Sequence, residues 1–176
     1  GQFQGLKELR LRNWRHEPID TRSIDAVLLT HAHIDHSGLL PRLVKDGYRG
    51  PIYTTPATAE LAEILLKDAA RLQEEDARYA NRKGYSKHHP ALPLFTEEDA
   101  EAALRHFRTV PFHQALHIGD VTARFANAGH ILGSAHLQLD LRDGASAATV
   151  VFSGDIGRYG VPLHSAPAGI ASKLEQ

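Results

Sequence analysis

One six-residue stretch constrains this chain more than any other. His31-Ala32-His33-Ile34-Asp35-His36 follows directly on the apolar run Ala26-Val27-Leu28-Leu29-Thr30. The run reads as a strand that ends in a tight loop. In extended backbone, side chains two residues apart share a side, so His31 and His33 face one point. Asp35 and His36 come one step later and face a second point. Imidazole nitrogens and carboxylate oxygens are good zinc ligands, so the stretch suits two neighbouring cations. Asp35 is also placed to orient a nucleophile or accept its proton. The chain has 12 histidines, so some clustering is expected and a His-rich surface loop is the plain alternative. The other histidines, however, stand singly or as the pair His88-His89. Composition alone does not account for three His and one Asp at this spacing after a buried-type strand.

A structural or catalytic zinc takes about four ligands, so two metals need more than this stretch supplies. Two later positions fit. His130 lies in the glycine-flanked segment Ala128-Gly129-His130-Ile131-Leu132-Gly133-Ser134, after the strand-like residues 121–126. Asp155 follows Val150-Val151-Phe152-Ser153-Gly154, just past another apolar strand. A lone His is more often a hydrogen-bonded structural residue, and a lone Asp after Gly more often a turn. Both, however, sit at a strand end beside Gly. A carboxylate can bridge two cations, a role open to Asp155.

With these residues in order, the chain resembles the metallo-β-lactamase superfamily. Its motifs HxHxDH, His and Asp match His31/His33/Asp35/His36, His130 and Asp155. Gly47-Tyr48-Arg49-Gly50-Pro51-Ile52-Tyr53, residues 128–135 and Ser153-Gly154-Asp155-Ile156-Gly157 are similar to the β-CASP branch, whose members process RNA and DNA. The resemblance covers roughly residues 1–165, with 166–176 read as a tail. It implies an α/β fold, the αββα sandwich, incomplete at both ends. Gly1-Gln2-Phe3-Gln4-Gly5 resembles the end of a family phrase that follows the first strands, and the chain contains no Met. The β-CASP insert and the last ligand His would lie downstream; His164 is too close to Asp155 and is read as a surface residue.

The resemblance further implies a zinc-dependent phosphodiester hydrolase that cleaves RNA with a water activated by two metals. His31, His33 and His130 would hold one zinc. Asp35, His36 and the missing His would hold the other, more weakly. Asp155 would bridge them. Without the last His and a leaving-group acid, this stretch by itself is expected to be inactive. RNA is the expected partner, with DNA as the variant; no membrane is expected, and an oligomer is left open. A cytoplasmic setting is expected. Two alternatives share parts of the pattern. One is a thioesterase- or lactonase-type hydrolase of the same superfamily; the other is a non-catalytic subunit of an RNA-processing complex, although such relatives typically lose metal ligands.

Composition adds limits. A formal net charge of −1 carries no global nucleic-acid signature. The absence of Cys excludes disulfides and thiolate ligands. No apolar run approaches the 18 residues that a membrane helix needs. Along the chain, a helix is expected over 37–45, a short strand over 52–54, and a helix capped by Thr55 with Pro56 at its first position. Leu61, Ile64, Leu65 and Leu72 recur at helical spacing and read as its core face. Thr96 opens another helix with acids in its first turn. A hairpin is expected over 116–126, and strands before and after the Asp143-Gly144 turn. Residues 72–95 are charged and read as a solvated helix extension with a mobile loop. A lid or RNA-contacting flap is the functional alternative, with His88 and His89 as candidate extra ligands.

Overall fold

The computed structural model describes residues 1–15, 19–144, 146–160 and 165–169. Two sheets stack on one another, and helices cover the outer face of the first. The first sheet holds β1 (Val27–Leu28), β2 (Ile52–Thr54) and β3 (Phe107–Thr109), all parallel, in the order β1-β2-β3. The second is an antiparallel meander of β4 (Leu116–Ile118), β5 (Val121–Asn127), β6 (Ala135–Asp143) and β7 (Ser146–Phe152). Side chains alternate across the first sheet as strand geometry requires. Leu29 and Ile52 pack with Leu40, Val44, Tyr48 and Ala103 on the helical side. Leu28 and Tyr53 pack on the other side with Val110, Phe125, Ala135 and Leu137, which closes the space between the sheets. These layers are the metallo-β-lactamase sandwich expected from the sequence.

The helices are α1 (Lys7–Arg10), α2 (Ile34–Ser37), α3 (Leu40–Lys45), α4 (Pro56–Lys83) and α5 (Glu97–Leu104). The single helix expected over 37–45 is instead two. α2 begins earlier, at Ile34, and the chain breaks at Gly38-Leu39 before α3 restarts with Pro41 in its first turn. Proline lacks the N–H an interior position would donate, so it favours a new start over continuation. The Ser37 hydroxyl donates to the carbonyls of Ala32 and His33, which ties α2 back onto the ligand segment.

α4 is capped by the Thr55 hydroxyl, which accepts from Thr58 N–H, and ends at Gly84 in the left-handed conformation (φ 69°). Its buried stripe is Thr58, Ala62, Leu66 and Ala70, at four-residue spacing, with Leu61 and Leu65 on the flank. Ile64 and Leu72, expected in the core, are 64% and 47% exposed. The small alanines let the helix lie close to Ala32, Phe95 and Ala100, and that register turns Ile64 and Leu72 outward. The extension over 72–83 is helical as expected. The end of the following loop is firmly built: Leu94 N–H donates to Gln73 Oε1, and Leu94 and Phe95 are buried in the helical core. α5 opens with a reciprocal capping box between Thr96 and Asp99.

β7 is the strand expected before Asp155. Among the described residues it pairs with β6 alone, and Val150 and Phe152 are exposed. No helix of the described residues is long and apolar enough to cross a membrane. His164 lies outside the described residues.

Candidate metal centre

The site forms where the chain leaves β1 and meets the ends of the second sheet. Leu29 N–H still donates to Tyr53 O, but Thr30 O accepts from Ala135 N–H, so the segment is pinned between both sheets. His31 follows and is fully buried. Its Nδ1 lies 3.1 Å from the Thr30 hydroxyl. Its Nε2 is buried and has no hydrogen-bond partner among the described residues. Leaving a buried polar atom unsatisfied costs on the order of 1–3 kcal/mol, so such an atom calls for a reason. Burial, followed by neighbouring His36, pushes the His31 pKa down to about 4, with His33 and His130 adding to the effect and Asp155 opposing it. The ring is therefore neutral at pH 7, with a lone pair on one nitrogen available as a ligand.

What surrounds that atom supplies the reason. His33, the N-cap residue of α2, places Nδ1 3.1 Å from His130 Nε2. Asp155 Oδ2 lies 3.4 Å from His130 Nε2 and 3.8 Å from His31 Nε2. One ligand atom from each of His31, His33, His130 and Asp155 falls within 4.8 Å of the others. Three imidazoles and a carboxylate around an unpartnered nitrogen fit a cation with nitrogen and oxygen ligands.

The second half of the expected set adjoins the first. Asp155 turns its other oxygen, Oδ1, toward His36 Nε2 at 3.4 Å, and Asp35 Oδ2 is 3.8 Å from the same nitrogen. Asp155 thus stands between the three-histidine cluster and the Asp35/His36 pair. Asp35 lies in the first turn of α2, not in a loop as its position after the strand suggested. All six residues expected to share the site are linked by these contacts. His88 and His89 are exposed on the 84–95 loop and outside the ligand group formed among the described residues.

Three supporting contacts were not singled out by sequence reasoning. Ser134 Oγ accepts the N–H groups of His130 and Ile131, which closes the His130 loop on itself. Gly133 O accepts the hydroxyls of Thr55 and Thr58, which docks that loop on the start of α4. Gly157 N–H donates to Ala128 O, so the Asp155 segment runs against the His130 loop. Gly157 is required there, since a Cβ would fall 1.6 Å from Gly129 O. Ser134 and the glycines belong to the recognisable phrases, whereas Thr55 read only as a helix-capping residue and Thr58 gave no signal.

A sequence profile described as the metallo-beta-lactamase superfamily domain matches residues 8–150. The chain belongs to the metallo-β-lactamase superfamily. It is 40% identical over 159 residues to "Ribonuclease TTHA0252" of Thermus thermophilus, covering 89% of this chain and 31% of that protein. It is 37% identical over 134 residues to "Transcription termination factor FttA" of Cenarchaeum symbiosum, covering 76% of this chain and 18% of that protein. The chain spans less than a third of the length of either relative. Among solved structures, a B3 metallo-β-lactamase with an active-site glutamic acid aligns with a TM-score of 0.47 at 20% identity, covering 87% of this chain and 51% of that one.

Proposed function

We propose that this chain is the metal-binding part of a β-CASP ribonuclease, a zinc-dependent phosphodiester hydrolase that cleaves RNA with water activated by two metals. The observation that carries this reading is the buried, unpartnered His31 Nε2 facing His33, His130 and Asp155. His31, His33 and His130 would hold the first zinc, Asp35 and His36 the second, and Asp155 both. When bound, such cations act as Lewis acids on a phosphodiester and generate a nucleophile from water at neutral pH.

The protein's own residues do the rest. Thr30 fixes the His31 ring so that Nε2, not Nδ1, faces the cleft. Ser134 holds the His130 backbone at both ends of its turn. Asp35, half exposed at the mouth of the site, is placed to orient the attacking water and accept its proton. Hydrolysis adds the elements of water across one P–O bond, so the departing oxygen needs a proton. The donor and the remaining ligand of the second metal are assigned to the part of the relatives that this chain does not span. The relatives' names support an RNA substrate.

The test is cleavage of a labelled single-stranded RNA by the full-length enzyme and its Asp35→Ala variant, with thermal melting alongside. Asp35 is half exposed and outside the core clusters, so its loss should abolish cleavage and leave the melting temperature within a few degrees. Cleavage by the variant at the wild-type rate would refute the assignment.

A further inference from the structure

We infer that the far end of α4, together with Trp14, forms a second contact surface for single-stranded RNA, separate from the metal centre. This rests on RNA being the substrate, as proposed above. Residues 77–96 carry Arg78, Arg82, Lys83 and Lys87 and not one Asp or Glu. The chain as a whole is balanced, with 20 basic and 21 acidic residues, so this is a local concentration of positive charge.

Aromatic rings are interleaved with these cations. The Arg82 guanidinium lies 5.5 Å from the Tyr79 ring centroid and Lys83 Nζ lies 5.9 Å from it. The Tyr79 and Tyr85 rings are 6.1 Å apart. Trp14, Tyr79 and Tyr85 are 46%, 47% and 65% exposed. Trp14 and Tyr85 line one open groove of about 370 Å³, whose other lining is apolar apart from Gln73 and Asp76; Arg78, Tyr79 and Arg82 line a second groove with Glu75 and the shared Asp76. Arg78 is engaged with Glu74 at 3.4 Å, whereas Arg82, Lys83 and Lys87 have no carboxylate partner among the described residues.

Exposed rings beside cations that lack a carboxylate partner match what a single strand offers: flat bases to stack and phosphates to neutralise. A duplex hides its base faces, and an acidic peptide gives the rings nothing planar to stack. The surface is remote from the helix end at the metal centre. Thr55 docks the start of α4 on the His130 loop, and Tyr79 lies 23 residues along from Pro56, about 35 Å at the α-helical rise. A bound strand could therefore be held at a distance from its scissile phosphate.

The experiment measures binding, not turnover. A fluorophore-labelled single-stranded RNA is titrated against the full-length protein in chelator, which removes metal and stops cleavage. Arg82→Gln/Lys83→Gln/Lys87→Gln should lower the slope of log affinity against log salt by about 2, since each phosphate contact on a single strand contributes about 0.7. Tyr85→Ala should weaken binding roughly tenfold, and Tyr85→Phe should restore it, because the ring and not the hydroxyl stacks. The part of the tryptophan emission that Trp14→Phe removes should be the part that RNA quenches. Unchanged melting temperatures show that these exposed substitutions leave the fold intact.

An unchanged salt slope and affinity in the triple variant would overturn the proposal. So would binding of duplex RNA or poly-glutamate as tight as that of the single strand. Failure of the ribonuclease reading is distinguishable. Single-strand binding through this surface without cleavage by the metal-loaded enzyme sinks that reading and keeps this one. Cleavage and binding indifferent to all the variants do the reverse.

Discussion

Replacing Gly133 by alanine tests whether the metal centre depends on its docking to α4. Gly133 has φ 79°, and a Cβ there would fall 2.5 Å from Thr58 N and 2.8 Å from Thr58 Oγ1. Backbone cannot yield as a flexible side chain can, so loop and helix must separate. The left-handed conformation costs a non-glycine residue about 1–2 kcal/mol. Separation also weakens the two bonds that Thr55 and Thr58 donate to Gly133 O, at 2.6 and 2.9 Å. Each is worth about 0.5–1.5 kcal/mol. The sum is about 2–5 kcal/mol, and 3 kcal/mol corresponds to roughly 6–12 °C in melting temperature for a domain of this size. Moving the loop also moves His130 while sparing His31 and His33. Zinc affinity should therefore fall about 10- to 100-fold, as when the supports of other metal ligands are lost. The control is Gly119→Ala, at φ 55° with nothing near the added methyl, which should cost about 1–2 kcal/mol of strain and leave zinc affinity unchanged. Calorimetric melting and zinc titration of both variants decide the matter. If Gly133→Ala matches Gly119→Ala in both, the docking argument is wrong.

Two further outcomes follow from the same structure. Asp99 caps α5 and pairs with Lys45 at 2.7 Å; burial works against its charged form, but the bonds from Lys45 and Thr96 prevail and hold its pKa below the usual carboxylate value. Because the folded value is depressed, its contribution is complete above the unfolded value of about 3.9 and is lost as pH falls through the folded one. Asp99→Asn should therefore lower unfolding free energy near pH 7, and the gap from wild type should close in acid; a gap that stays constant from pH 7 to pH 3 would contradict this. Phe95, fully buried, closes the loop after α4. Phe95→Ala should cost about 3–5 kcal/mol in denaturant unfolding, against less than about 0.5 kcal/mol for Leu92→Ala on the exposed part of the same loop. Equal, small effects would show that the whole loop is a detachable surface segment.

The features legible in the sequence are those set by near neighbours. The apolar strand before HxHxDH, the Thr55-Pro56 start of α4 and the Thr96 start of α5 each depend on a few adjacent residues, and each stands where the pattern put it. Residues whose environment comes from elsewhere in the fold were not legible in this way. The periodic run in α4 could bury either of two overlapping stripes. Contact with Ala32 and Phe95 selected the one through Ala62, Leu66 and Ala70 and left Ile64 and Leu72 in solvent. The apolar composition of β7 marked it as a strand but did not show that Val150 and Phe152 would lie exposed. His31, His130 and Asp155 could be nominated from strand ends, yet no sequence pattern states that His31 Nε2 is left without a partner or that Asp155 divides its two oxygens between His130 and His36. Nor could the bonds from Thr55 and Thr58 to Gly133 be foreseen across 78 and 75 residues. Local periodicity chooses the kind of element and the kind of ligand; the direction of a lone pair and the face of a helix are chosen by whatever the folded chain brings against them.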